Sequence, residues 1–283
     1  MKKVFLFVAA AVMSIAASAT DLWTGSKHVS WSDGGLQLEA AKFAAATPGQ
    51  KIVLTYSGAT DGVEFKVMNT HFDHLAGSRE AAWINGNGTF EQFLTKAAVD
   101  SLKLHGLEII GANFTATKVE LLDGKELKEG ITVWTGFFWA DEWCTLELYR
   151  DGYCYEDFSK VSAIRFYSEA ASGDFVLNFM ESWDAEGKFA DQGNMTDGDG
   201  YKELELTDEL RTRVANANHW MIQFNKEAIS PFNVTDVVLV LKEAPTAIDN
   251  TTVKANATKV LRNGQVLIIR DNKTYNALGT EIK

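Results

Sequence analysis

The sequence predicts an all-β protein made of two tandem antiparallel β-sandwich domains, each with one short helix. Three observations lead there. Apolar and polar residues alternate with a period of two, and Gly, Asp and Pro punctuate these runs at short intervals. The whole pattern then occurs a second time, in the same order. WTG at 23–25 returns at 134–136, 111 residues on, and NGNG at 85–88 returns as DGDG at 197–200, 112 residues on. Thr95 returns as Thr207, and FTATKVELL from Phe114 returns as FNVTDVVLV from Phe232, with a few residues gained around 225–231. Matches in register at four places imply duplication of a unit of about 110 residues, the size of one compact domain and too long for a solenoid repeat.

Length and composition suit two cores: 283 residues, 46% of them hydrophobic. A net charge of −11 and the lack of any basic cluster argue against nucleic acid as a partner. At the N-terminus Lys2 and Lys3 precede an apolar run over 4–15, and Ala17, Ser18 and Ala19 form a small-residue cleavage pattern. Residues 1–19 therefore read as a signal peptide. The run is too short to span a bilayer, and no later stretch is long enough. No Cys follows the cleavage point to carry a lipid, so the expected product is secreted or held at the cell surface.

Taken in order, the first copy (20–124) offers strand-like runs at 29–31, 36–39, 51–57 and 63–69, with turns at 33–35, 47–50 and 59–62. TKAAVDSLKLHG at 95–106 breaks the period. It opens on a capping Thr95, spaces its apolar residues three and four apart, and stops at Gly106, as a helix does. In the second copy (130–243), TDELRTRVANAN from Thr207 keeps the cap and puts acids in the first turn, where the helix dipole favours them. Buried strands follow at 107–110 and 220–224. Cys144 and Cys154 flank an Asp151–Gly152 turn, and in an oxidising compartment they either pair, contributing about 3 kcal/mol, or stay free. With no His or further Cys nearby they make a poor zinc site.

Residues 244–258, rich in Ala, Thr, Asn and Lys with no apolar period, read as a linker. The tail at 259–283 holds two strand-like runs around an Asp271–Asn272 turn.

With its NGQ, IIRD, KTYN and LG pattern, this tail resembles the C-terminal sorting sequences of Bacteroidetes proteins that use the type IX secretion system. That resemblance implies secretion machinery as a partner. The duplicated unit, through WTG, VSW, LQLEAAKF, GQKIVLTYS and HGLEIIGANFTATKVELL, looks like the carbohydrate-binding modules found beside glycoside hydrolases in gut and rumen Bacteroidetes. The second copy matches through WTG, TLEL, DGDGYKELELTDEL and FNVTDVVLVL. This second resemblance implies a jelly-roll, galactose-binding-like sandwich and a polysaccharide or oligosaccharide partner. It implies no catalysis and no cofactor.

Sugar rings present flat C–H faces edged by hydroxyls, so exposed aromatics beside planar polar groups are what such binding needs. Trp183 enters a polar loop after a strand and is the first candidate; modules of this kind often carry an aromatic there. Trp139 and Trp143 flank acids in FFWADEW. In the first copy Phe72 or His74 takes the place of Trp183, and Trp83 and Trp31 are further candidates. The other tryptophans read as core: Trp23 and Trp134 in apolar settings at the first strand of each copy, and Trp220 in a buried strand.

Carboxylate pairs at 141–142, at Glu181 and Asp184, and at Asp197 and Asp199 provide what a glycosidase requires. Adjacency in sequence is no evidence of the required separation, and no nucleophile or zinc-protease motif is present. DGDG has calcium-like spacing without the rest of a calcium loop, and its counterpart carries amides, so a hairpin turn is expected there. The reading is a non-catalytic binder of plant-type, β-glucan-like polysaccharide. Its rival is a surface adhesion or assembly protein whose aromatics meet a protein partner.

Overall fold

The computed structural model describes residues 19–78, 82–140, 144–149, 157–169, 177–184, 186–191, 195–217, 219–224 and 232–242, and four strands of the tail. The signal segment, Trp143 and Cys154 lie outside the described residues, as does all of the expected linker except its last two positions.

The first half runs β1 (Thr20–Val29), β2 (Leu36–Leu38), β3 (Lys51–Met68), β4 (Ala82–Phe93), α1 (Lys96–His105), β5 (Leu107–Gly111) and β6 (Phe114–Leu122). All pairings are antiparallel. The N-terminal part of β3 pairs with β6, from Lys51 opposite Leu122 to Ser57 opposite Thr115. Its C-terminal part pairs with β5, from Phe65 opposite Gly111 to Met68 opposite Glu108. β4 pairs with β3 from Lys51 opposite Phe93 to Phe65 opposite Ala82, and the six strands form one sheet, ordered β1-β6-β3-β5-β2 with β4 alongside β3.

The turn expected at 59–62 is therefore corrected. Those residues sit inside β3, where the register shifts between Tyr56 and Ala59 and again between Ala59 and Val63. Gly58 and Gly62 take φ values of 72° and 70°, and this freedom lets a strand bulge rather than reverse.

The second half runs β7 (Ile131–Ala140), β8 (Thr145–Tyr149), β9 (Val161–Glu169), β10 (Leu177–Met180), β11 (Lys188–Ala190), β12 (Thr196–Gly198), β13 (Tyr201–Glu205), α2 (Asp208–Asn216), β14 (His219–Phe224) and β15 (Phe232–Leu241). Its sheets are ordered β7-β15-β9-β13-β12 and β8-β14-β10-β11. Strand for strand this is the order of the first half, with β9 and β10 standing where the two parts of β3 stand.

Each half encloses its own core, because alternation sends every second side chain inward. Phe43, Phe65, Leu54 and Phe114 fill the first, and Phe166, Phe179, Trp134 and Trp220 fill the second. Aromatic edges meet faces at their centres: Phe65 and Phe114 lie 5.8 Å apart, and Phe179 and Trp220 5.5 Å. The repeated WTG has a steric cause. Each indole folds back over the glycine two residues on, so that a Cβ on Gly25 would come within 2.7 Å of Trp23, and one on Gly136 within 2.9 Å of Trp134.

Both helices start as their caps dictate. Thr95 Oγ1 accepts from the Ala98 amide and Thr207 Oγ1 from the Leu210 amide, and α1 stops at Gly106 with φ 84°. The DGDG stretch is a hairpin, with Gly198 opposite Tyr201 and Asp199–Gly200 as the two turn residues. Asp197 forms an ion pair with Lys202.

Residues 123–130 join the halves. The Lys125 amide donates to Gly49 O at 2.9 Å, while its ammonium donates to Gly136 O (3.1 Å), Thr235 O (2.6 Å) and Asp236 Oδ2 (3.2 Å). The same ammonium lies over Phe93 of the first half and Phe137 of the second, whose rings meet edge to face at 5.6 Å.

The tail, a unit of its own, is a four-stranded antiparallel meander: β16 (Ala257–Arg262), β17 (Gln265–Arg270), β18 (Lys273–Asn276) and β19 (Glu281–Ile282). Arg270 pairs with Lys273, so 271–272 are the residues between β17 and β18.

Candidate functional site

Trp31, Trp83, Trp139 and Trp183 are 49–66% exposed, whereas Trp134 and Trp220 are buried and Trp23 packs against the first core. Phe72 is exposed and His74 half-buried. These candidates stand on separate elements. Trp139 belongs to β7 in the five-stranded sheet, Trp183 to the turn after β10 of the four-stranded sheet, Trp83 to β4 opposite Glu64, and Trp31 to the turn between β1 and β2. Phe72 and His74 share one turn after β3. Cys144 is half-buried against the second core and has no disulfide to any described residue.

The turn that presents Trp183 is held rigidly. Arg213 of α2 donates from Nε to Glu181 Oε1 at 2.7 Å, and its guanidinium lies 4.8 Å from the centre of the Phe189 ring. Asp184 Oδ1 accepts from the Gly187 amide at 2.6 Å, and that bond, with help from Ser182, holds the carboxyl below the usual aspartate range. In the first half the matching positions hold a lighter tie, Asn69 Nδ2 donating to Ser101 Oγ at 3.1 Å. Asn69 Oδ1 also accepts the His71 and Asp73 amides, which closes the turn tightly enough to hold Phe72 at φ 66°.

Around Trp139 the register sets the surroundings. Asn233 lies between Trp139 on one side and Glu169 on the other, so an indole, an amide and a carboxylate form one row across three strands. Adjacent strands are about 4.8 Å apart, which puts Trp139 and Glu169 about 10 Å apart across the sheet.

One row further along the same face lie residues that sequence reasoning missed. Tyr167 stands opposite both Asp236 and Tyr201, its ring centre 5.2 Å from that of Tyr201. Arg165 covers the Tyr201 ring at 4.8 Å and donates to Glu203 at 2.5 Å, a bond that raises its already high pKa. Lys128 of the joining segment sits 5.1 Å over Tyr167. The equivalent row of the first half is Thr24, Lys118, Thr55 and Thr89, with no aromatic in it. The available signal was the alternation in 161–169, which puts Arg165, Tyr167 and Glu169 on one face.

Such a surface offers flat rings next to amides, carboxylates and cations, the equipment for holding a hydroxyl-rich ligand. Among the described residues no group of three or more His, Cys, Asp or Glu is placed to hold a metal ion. No described helix is long and apolar enough to cross a membrane.

No protein-family model matches the chain, and no curated protein matches it in sequence. Among solved structures it is similar to SGBP-B of the Bacteroides ovatus mixed-linkage glucan utilization locus, solved in complex with a mixed-linkage heptasaccharide. That likeness has 18% identity and a TM-score of 0.33, covering 36% of this chain and 29% of that one. A putative secreted protein of Parabacteroides distasonis matches over 81% of this chain and 89% of its own at 9% identity, with a TM-score of 0.23. The Macrobrachium rosenbergii nodavirus matches over 86% and 97% at 8% identity, with a TM-score of 0.21. At TM-scores this low, none of the three says what this chain binds.

Proposed function

We propose that this is an exported, non-catalytic carbohydrate-binding protein that holds plant-type, β-glucan-like polysaccharide on exposed aromatic side chains. In this reading residues 1–19 are a signal peptide, 20–124 and 130–243 are copies of one module, and 259–283 is a sorting tail for the type IX machinery. The observation that carries the binding is the separation among tryptophans: two are enclosed in cores while four of the described ones face solvent beside polar groups. The matching strand orders support the duplication. Two weak sites on one short chain strengthen attachment to a repetitive polymer through effective concentration.

Absence of catalysis is supported by the fate of one carboxylate pair. Glu181 is engaged by Arg213, and Asp184 is held ionised by a backbone amide, the opposite of what a proton-donating acid needs.

The test is affinity electrophoresis through β-glucan gels. Trp183→Ala and Trp139→Ala are expected to migrate faster than the parent while melting at the same temperature. Unchanged retention in both removes these residues from the site. Failure across a broad glycan panel, alongside capture of a surface protein, moves the chain to the adhesion class.

A further inference from the structure

Between the joining segment and the outer face of the five-stranded sheet lies a cavity of about 280 Å³ that the exposed tryptophans do not enter. Lys128 comes from the joining segment, Tyr167, Ser168 and Glu169 from β9, Asp199 from the β12–β13 turn and Asp236 from β15. One polar atom of a lining residue is buried without a hydrogen-bond partner: Asp236 Oδ1, on a side chain only 2% exposed. A buried carboxylate oxygen with no donor is costly, so a cavity that keeps one asks its occupant for a donor.

Charge narrows the occupant. Four carboxylates, of Glu126, Glu169, Asp199 and Asp236, face two ammoniums, of Lys125 and Lys128, which disfavours an anion. The ammoniums in the same wall disfavour a metal ion. A neutral group that both donates and accepts, as a hydroxyl does, fits carboxylates and ammoniums in one wall. Tyr167 adds a flat ring, and the volume is just under the usual range for ligand pockets, room for one ring rather than several. At the place of Tyr167 the first half has Thr55, and at the place of Tyr201 it has Thr89, so the equivalent face there lacks the aromatic wall.

We propose that this cavity is a second binding site that takes one uncharged, hydroxyl-rich sugar ring, either a free monosaccharide or the terminal ring of a chain. The proposal rests on the carbohydrate reading above and adds to it a site for a single ring, about 10 Å across the sheet from Trp139.

Calorimetric titration of the full chain with glucose, mannose, galactose, a β-linked gluco-oligosaccharide and glucuronate tests it. At least one neutral sugar is expected to bind, with glucuronate at least tenfold weaker. Tyr167→Thr, which installs the residue of the first half, and Glu169→Gln are each expected to weaken that binding at least tenfold with the melting temperature kept. Binding of a monosaccharide identifies a free ring as sufficient, and binding of the oligosaccharide alone identifies a chain end. No binding of any neutral sugar, unchanged affinity in both folded variants, or tighter binding of glucuronate overturns the proposal. Trp183→Ala separates the two sites. If it loses gel retention but keeps the calorimetric signal, both sites stand. If retention is unchanged while Tyr167→Thr loses the signal, the exposed-indole site falls and the cavity stands.

Discussion

Lys125 and Asp236, 111 residues apart in the chain, meet at 3.2 Å, with Lys125 largely covered and Asp236 almost wholly enclosed. The ammonium also satisfies two carbonyls of the second half, while its backbone amide is tied to Gly49 of the first. Burial pulls the Lys125 pKa down, and Asp236 opposes that pull. Loss of one partner from a buried pair leaves the other charge uncompensated. Lys125→Met is therefore expected to cost about 3 kcal/mol in urea unfolding, and Asp236→Asn in that background to recover part of it.

The indole-over-glycine arrangement gives a second expectation. Trp134 is enclosed and lies over Gly136 with no room for a methyl group. Gly136→Ala displaces a packed ring and is expected to cost about 1–3 kcal/mol by thermal or chemical unfolding. Gly25→Ala is expected to cost less, because Trp23 is only partly buried and can swing aside.

Glu108 supplies a pH dependence. It lies 1% exposed with Gly35 pressed against it, and Oε2 has no hydrogen-bond partner. Burial raises its pKa above 4.5, against the lowering effects of Gln37, Gly35 and Lys27. The folded value exceeds the unfolded one, so the stabilising contribution is complete below pH 4.5 and is lost as pH climbs through the folded value. Measured against Glu108→Gln, the parent is expected to lose stability as pH rises above 4.5. A gap that stays constant across that range rules this out.

Local chemistry was legible in the sequence. The caps at Thr95 and Thr207 and the stop at Gly106 depend on residues within one helical turn of each other, and the apolar run around Trp220 set it apart from Trp183 in its polar loop. What stayed hidden depends on pairing across long distances. ATDG at 59–62 carries the same residues whether the chain reverses or bulges, and only the partner strand β4 decides between them. Tyr167 meets Tyr201 through a register that no local pattern records, and Lys125 meets Asp236 from 111 residues away in the chain. The exposure of Trp139 was legible as a possibility; its neighbours Asn233 and Glu169 were not.

The change of partner along β3, from β6 to β5, has a mechanical consequence. One continuous strand joins the β6 side of the first half to its β5 side, so the two cannot part there like the covers of a book without breaking strand pairing. In the second half the corresponding strands β9 and β10 belong to separate sheets.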